Sequence, residues 1–484
     1  MKERVLKGIE PERVFHYFEE ISAIPHGSTD TKRISDYCVS YAKEHGFEYY
    51  QDSDNNVIII KPASSGREQE EPIIMQGHID MVCEVEPGIT KDMTKEALDL
   101  FVDGDLIGAR HTTLGGDDGI AVAMALAIMD DDSLSHPRLE ALLTVDEEIG
   151  MLGAVSVDVS PLKGHVMLNI DSEEEGIFTV SCAGGVVAEC IVPVLREESK
   201  GNTYEIYAKG LTGGHSGIEI NKGRATANKT VAMILKSLKE KVDFRIVSID
   251  GGLKDNAIPV ASKGIIVTEA GLDELKAVVD EIAGPIISKH KETDPSMEIG
   301  VCEVKVQMLP ASAKSTEDIL DVFYNLPEGI QKMSEGVEGL VQTSLNMGIL
   351  TTTETQVSLK YCVRSSVDRE KNELVAGMND LVKAHGGHMI LTGDYSGWEY
   401  RPDSPLRDTL TAIYKEQYGK DVKIEAIHAG VECGVLAGKI NDLDCVSYGP
   451  NLTEIHTYRE RMSISSVARV YKMTRTIIEK GINA

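Results

Sequence analysis

The chain has 484 residues, 42% hydrophobic and 26% charged, a balance that suits a globular protein of two or three domains rather than one core. A formal net charge of −29 argues against nucleic acid as a partner, because phosphate binding needs clustered Lys and Arg. No apolar run approaches the ~20 residues of a membrane span, the start MKERVLKGIEPERVF lacks a signal-like apolar core, and the eight Cys contain no C-x-x-C pair, so reduced thiols in a cytosol are expected.

Val14, Phe15, Phe18 and Ile21 give residues 10–24 a helical period, which Pro25-His26-Gly27 breaks. Residues 28–45 read as a second amphipathic helix, with Ser28 as its N-cap and Gly46 as its stop. Residues 56–61 are a strand and 62–71 a polar loop. IIMQGHIDMV (73–82) follows, an apolar run bounded by Pro72 and Gly77. It reads as a buried strand of a parallel sheet, and open α/β sheets bind ligands at the carboxyl ends of such strands. His78 offers a neutral imidazole for zinc, and Asp80 is spaced to accept its other ring N–H. Alone the pair is weak, since a single His is ordinarily a core or surface residue.

Residues 84–111 read as a long, polar, irregular connection into HTTLGGDDGIAVAMALAIM. Residues 120–129 are apolar almost throughout, a helix buried on most sides. Asp117 and Asp118 stand in a glycine-rich loop at its start, either as an N-cap or as ligands. The loop lacks the Lys and Ser/Thr of a phosphate loop. Residues 139–145 form another buried strand ending in Asp146-Glu147-Glu148, where one Glu can bind metal while its neighbour stays free as a base. Residues 166–170 are a strand followed directly by Asp171. A parallel sheet would gather positions 78, 80, 117, 147, 148 and 171 at one edge.

After Gly185 the pattern changes to alternating strands, with GLTGGHSG around His215 and Asn256 in a later loop. A strand–strand–helix–strand order occurs at 245–308 and recurs at 340–392. Residues 186–397 are therefore expected to be an inserted α+β domain of two related units, dividing a catalytic domain into 1–185 and 398–484. The α/β pattern resumes with a helix (404–418), a strand (423–427), HAGVECG, a strand (443–447), a loop with Glu454 and His456, and a last helix (463–480).

His78, Asp117, Glu148, Asp171 and His456 make an imidazole and carboxylate set suited to two close divalent metals of zinc type. Here GHIDMV, GGDDG, DEEIG, the Asp after NI, GGHSG and the late His resemble the co-catalytic zinc peptidases related to glutamate carboxypeptidase. HTTLGGDDGIAVAMALAI, HAGVECGVL and the large insertion narrow the resemblance to the aminoacyl-histidine (cytosol non-specific) dipeptidase family.

The resemblance covers essentially the whole chain. It implies an α/β zinc-peptidase domain of phosphorylase/hydrolase type with a mixed sheet, plus an inserted lid and dimerisation domain. It also implies a cytoplasmic homodimer that hydrolyses dipeptides, Xaa-His and others, through a water activated by two divalent ions. Zinc is the expected ion, with cobalt or manganese as alternatives. His78 and Asp171 would hold one ion, Glu148 and His456 the other, and Asp117 would bridge them. Glu147 would be the general base and Asp80 would orient His78. His215 would stabilise the oxyanion, delivered by lid closure or by a partner subunit. Asn256, Arg364 and Glu432 would hold substrate, Arg364 at its carboxylate and Glu432 at its amine. Two other readings compete: an N-acyl amino acid deacylase of the same fold, and a non-catalytic binding protein on this scaffold.

Overall fold

A computed structural model describes residues 4–337 and 339–482. The chain forms two compact units. The first comprises residues 1–182, 400–426 and 431–484, and the second residues 183–399 and 427–430. The excursion at 427–430 was not foreseen. It belongs to the second unit because Ala183 N donates to Ile427 O (3.1 Å) and Ser344 Oγ meets His428 Nε2 (2.7 Å). Among the described residues no helix is long and apolar enough to cross a membrane.

The first unit is built on an eight-stranded mixed sheet. Its order is Glu48–Gln51, Val57–Lys61, Leu139–Thr144, Ile73–His78, Val166–Asn169, Asp444–Ser447, Ile177–Cys182 and Lys423–Ile427. The four strands from Leu139–Thr144 to Asp444–Ser447 run parallel, and Val57–Lys61 joins antiparallel. Those four are buried at every residue, which is why they read as apolar runs rather than alternating ones. Against them packs Gly116–Met129, whose residues are all buried except Asp117. Helices Glu12–Ser22, Pro405–Tyr418 and Ile464–Lys480 bury only one face, as their spacing predicts.

Two local expectations fail for identifiable reasons. The second helix begins at Lys32, and Ser28 does not cap it, because Thr29 holds a left-handed φ of 69°. The connection 84–111 is not irregular throughout: Leu100–Asp103 and Leu106–Ala109 form a hairpin that turns at Gly104, where φ is 61°. This hairpin pairs with Arg461–Ser463, which pairs with Leu452–Thr453. The small sheet so formed holds both ends of the loop that carries His456.

The second unit is a nine-stranded antiparallel sheet with a hidden symmetry. Read inward from one edge, its strands are Glu298–Glu303, Asn202–Lys209, Ser262–Thr268 and Arg245–Gly251. From the other edge they are His388–Tyr395, Gly184–Pro193, Gln356–Ser365 and Val341–Thr352. In each half the chain visits these positions in the same order, with a helix (Leu272–Lys289 or Asp368–Ala384) before the edge strand. The halves meet at Gly251 opposite Leu350. Gly184–Pro193, the opening strand of one half, was passed over because it begins with two glycines and only Ala183 separates it from Ile177–Cys182.

Gly77 lets the buried helix approach the strand that ends in His78. A Cβ there would lie 2.5 Å from Asp118 Oδ2 and 2.6 Å from the Ala121 Cβ. Overpacking of that kind costs about 1–3 kcal/mol. Gly77→Ala is therefore expected to lower the melting temperature by several degrees in a thermal scan, while Gly377→Ala, exposed inside the helix Asp368–Ala384 with no atom within 4 Å, should not lower it.

Candidate metal centre

All of the acids and histidines singled out in the α/β part converge at the carboxyl edge of the mixed sheet. His78 ends its strand with 1% of its surface exposed. Its Nε2 lies 3.1 Å from Asp117 Oδ1 and 3.5 Å from Asp171 Oδ1. His456 Nε2 lies 3.1 Å from Asp117 Oδ2 and 3.1 Å from Glu148 Oε1. The two oxygens of Asp117 thus face two different imidazoles. Donor atoms of His78, Glu147 and Glu148, of His78, Asp118 and Asp171, and of Asp117, Glu148 and His456 form three groups whose members lie within 4.8 Å of one another.

Asp117 and Asp118 take different parts because neither caps the helix. Both have non-helical backbone angles, and the peptide between them is cis. Asp118 is buried and accepts the His78 N–H at 3.3 Å. The buried N–H groups of the turn are taken instead by Glu460, four residues beyond His456. Its carboxylate accepts from Leu114 (2.8 Å), Gly115 (3.2 Å), Gly116 (2.8 Å) and Asp117 (3.4 Å). Nothing in the sequence marks Glu460, since its partners are backbone groups more than 300 residues away.

Asp80 is 1% exposed and has more than one task. The His78 Nδ1 is 3.0 Å from the Asp80 carbonyl and 3.4 Å from its carboxylate, so the main chain shares in fixing the tautomer. The carboxylate itself accepts from Ser28 Oγ (2.8 Å) and from the Glu147 N–H (3.1 Å). Glu432 has no exposed surface. Its Oε2 accepts from Gln76 (2.5 Å) and Thr144 (2.7 Å), while Oε1 is buried without a partner.

The electrostatics fit divalent cations. Among the described residues, the only cationic side chains paired with this carboxylate set are His78 and His456. Burial pushes the Glu147 carboxyl up, with the Asp171, Glu432 and Glu148 charges adding to it against His78. Burial also raises Asp171, and takes Glu432 to about 7. Hydrogen bonds to Asp117 and Glu148 hold His456 up near 10. Packed carboxylates of this kind must take up protons unless metal ions neutralise them. The oxygen and imidazole donors gathered here are the donor set that zinc-type ions accept.

The remaining predicted residues lie in the second unit. His215 sits in the two-residue strand Gly214–His215, and its Nδ1 accepts the N–H groups of Gly217 (3.1 Å) and Ile218 (3.2 Å). The ring proton is therefore on Nε2. Burial and the Arg364 charge lower its pKa, which keeps the ring neutral. Arg364 is buried and donates to the Tyr395 hydroxyl at 3.3 Å. The carbonyl of Asn256 accepts from Ser216 N at 2.9 Å, while its side chain lies in an exposed stretch. His428, not foreseen as a site residue, is buried in the same unit and feels the charges of Arg364 and His215.

A mixed α/β sheet with paired histidine and carboxylate clusters at its carboxyl edge, and a separate antiparallel unit, defines a metallopeptidase class. The profile of peptidase family M20/M25/M40 matches residues 74–480. The cytosol non-specific dipeptidase of Escherichia coli (strain K12) is 33% identical over 478 residues, 98% of this chain and 99% of that protein. The crystal structure of aminoacylhistidine dipeptidase from Vibrio alginolyticus superposes with a TM-score of 0.94 at 30% identity, over 100% of this chain and 99% of the other. The aminopeptidase PepT from Bacillus cereus shares the fold at 16% identity, with a TM-score of 0.56 over 98% and 99% of the two chains. The chain belongs to peptidase family M20/M25/M40.

Glu460 supplies a direct check on this geometry. Replacing its carboxylate loosens the loop that aims Asp117, and outer partners of metal ligands typically account for about 10–100-fold in affinity. Glu460→Gln is expected to weaken zinc binding by that factor in a chelator competition titration, while Glu454→Gln, on the same loop, leaves it unchanged.

Proposed function

We propose that the protein is a cytosolic metallodipeptidase that hydrolyses free dipeptides, Xaa-His among them, with two zinc-type ions at the sheet edge and a homodimeric assembly. The observation that carries the reading is the carboxylate of Asp117, presented through one oxygen to His78 and through the other to His456. In this reading His78, Asp117 and Asp171 would hold one ion, and Asp117, Glu148 and His456 the other. Ions held there would supply Lewis acidity toward the scissile carbonyl and lower the pKa of water to near neutral.

The chain's own groups do the rest. Glu147 touches the cluster but is not needed to complete either ligand set, so its carboxyl is left to take the proton of the attacking water and pass it to the leaving amine. Asp80 holds His78 in one tautomer. His215 donates from Nε2 to the oxyanion, a task that suits an imidazole whose other nitrogen is already occupied. Arg364 forks onto the free carboxylate of the substrate, with Asn256 beside it. Glu432 meets the substrate amine through the oxygen that lacks a partner.

Glu147→Gln is expected to retain both metals by elemental analysis and to lose about 10²–10⁴ in kcat. Loss of a metal in Glu147→Gln, and not in Glu148→Gln, would exchange the two roles. His215→Ala should lower kcat by about 10²–10³ with metal content unchanged. Arg364→Ala should instead raise KM for free dipeptides and matter little for C-terminally amidated ones. Turnover of N-acyl amino acids in preference to Xaa-His dipeptides would replace the dipeptidase reading by a deacylase on the same centre.

A further inference from the structure

The segment Pro25–Thr29 precedes the 74–480 region matched by the family profile, yet it reaches the heart of the candidate centre. Gly27 bridges Met81 in parallel fashion, with Met81 N donating to His26 O (3.2 Å) and Ser28 N to Met81 O (3.3 Å). These bonds lay the segment beside the chain leaving His78. A Cβ on Gly27 would stand 2.6 Å from Cys83 Sγ, so the approach is close. From this position two contacts go out. Ser28 Oγ donates to Asp80 Oδ2 at 2.8 Å, and Thr29 N donates to Asp146 Oδ1 at 2.6 Å.

Both contacts lead to Glu147. The other oxygen of Asp80 accepts the Glu147 N–H at 3.1 Å, and Asp146 is the residue before it. Thr29 and Asp146 both hold left-handed backbone angles, φ 69° and 53°. A β-branched residue rarely adopts that conformation, and such outliers persist where surrounding bonds over-determine them. The turn carrying Glu147 is therefore clamped from both sides by one short segment of the N-terminal region.

We propose that Ser28 is a positioning residue for the hydrolytic step: through Asp80, and together with the Thr29–Asp146 bond, it fixes the turn that aims the Glu147 carboxyl. The proposal rests on the reading of Glu147 as the base. Removing the Ser28 hydroxyl loosens the Asp80 carboxylate against the Glu147 N–H, while the Asp80 carbonyl still holds His78 Nδ1 at 3.0 Å. The effect should fall on turnover rather than on substrate binding.

The test uses the full-length, metal-loaded enzyme and a saturable dipeptide substrate. Ser28→Ala is expected to lower kcat about 10–100-fold, as outer-layer substitutions commonly do, with KM within twofold, metal stoichiometry unchanged and melting temperature unchanged. Ser28→Thr, which keeps the hydroxyl, should restore most of the rate. Asp146→Asn, which keeps an acceptor oxygen for Thr29, should fall less than Asp146→Ala. In a Glu147→Gln background Ser28→Ala should cost little more, because the group it aims is already gone. Normal kcat in Ser28→Ala, or a loss of rate that tracks lost metal or lowered melting temperature, would overturn the proposal. If Glu147→Gln itself stayed active, the base assignment would fail instead, and the two failures are separable because they arise in different single variants.

Discussion

The crowding of carboxylates around Asp117 is the constraint on which the rest of the first unit depends. His78, Asp117, Glu147, Glu148, Asp171 and His456 come from five separate stretches of chain and meet in groups whose donor atoms lie within 4.8 Å of one another. Without cations, burial and neighbouring charges push the Glu147 and Asp171 carboxyls up, while, against burial, hydrogen bonds to His456 and His78 hold Asp117 down. A fold can tolerate that only if its remaining contacts over-determine the positions. Three adjacent parallel strands and a helix buried on every side supply that rigidity, because neither can shift without opening the core.

Around this crowded set lies a layer of polar groups whose partners are nearly all accounted for. Glu460 satisfies the turn before the buried helix, leaving Asp117 free to face outward. Gln76 links Asn169 on one side with Glu432 on the other, so adjacent strand ends are tied beneath the cluster. Non-glycine residues with left-handed backbone concentrate nearby: Thr29, Asp146, Met151, Glu454 and His456. Each costs on the order of 1–3 kcal/mol. Their grouping beside one site indicates that the chain is bent there to aim side chains, at the expense of local stability.

What was legible in the sequence follows from what periodicity can carry. Buried strands such as Leu139–Thr144 announce themselves as apolar runs, and a ligand placed just after one inherits its position. His78, Glu147, Glu148 and Asp171 were found this way. His456 was placed only as a residue of the loop after the strand at 443–447, and the small sheet that holds that loop went unseen because its hairpin was misread as loop. The DGD turn at Asp103–Asp105 was the overlooked signal, a form that favours hairpins. Ser28 was assigned to a helix cap for a sound local reason and serves Asp80 instead, because the left-handed turn at Thr29 keeps a helix from starting there. Glu460 had no signal at all, since a carboxylate that binds backbone N–H groups leaves no pattern at its distant partners.

The glycine-rich loop of the second unit shows the same logic applied to a single ring. At Gly213 and Gly214 φ is 70° and 133°, angles that turn the chain back so that His215 faces its own following residues. The ring then meets two backbone N–H groups rather than an acid. The nearby carboxylate of Glu219 is kept from it, because its oxygens are taken by the His215 N–H (2.9 Å) and by Arg224 (3.0 Å). A carboxylate on Nδ1 would favour the charged ring and make it an acid–base group. Two N–H donors on Nδ1, with Arg364 adding its charge, favour the neutral ring and leave one fixed donor, Nε2. An imidazole held in this way can donate from Nε2 without exchanging its proton, whereas the Glu147 carboxyl is pushed up by burial.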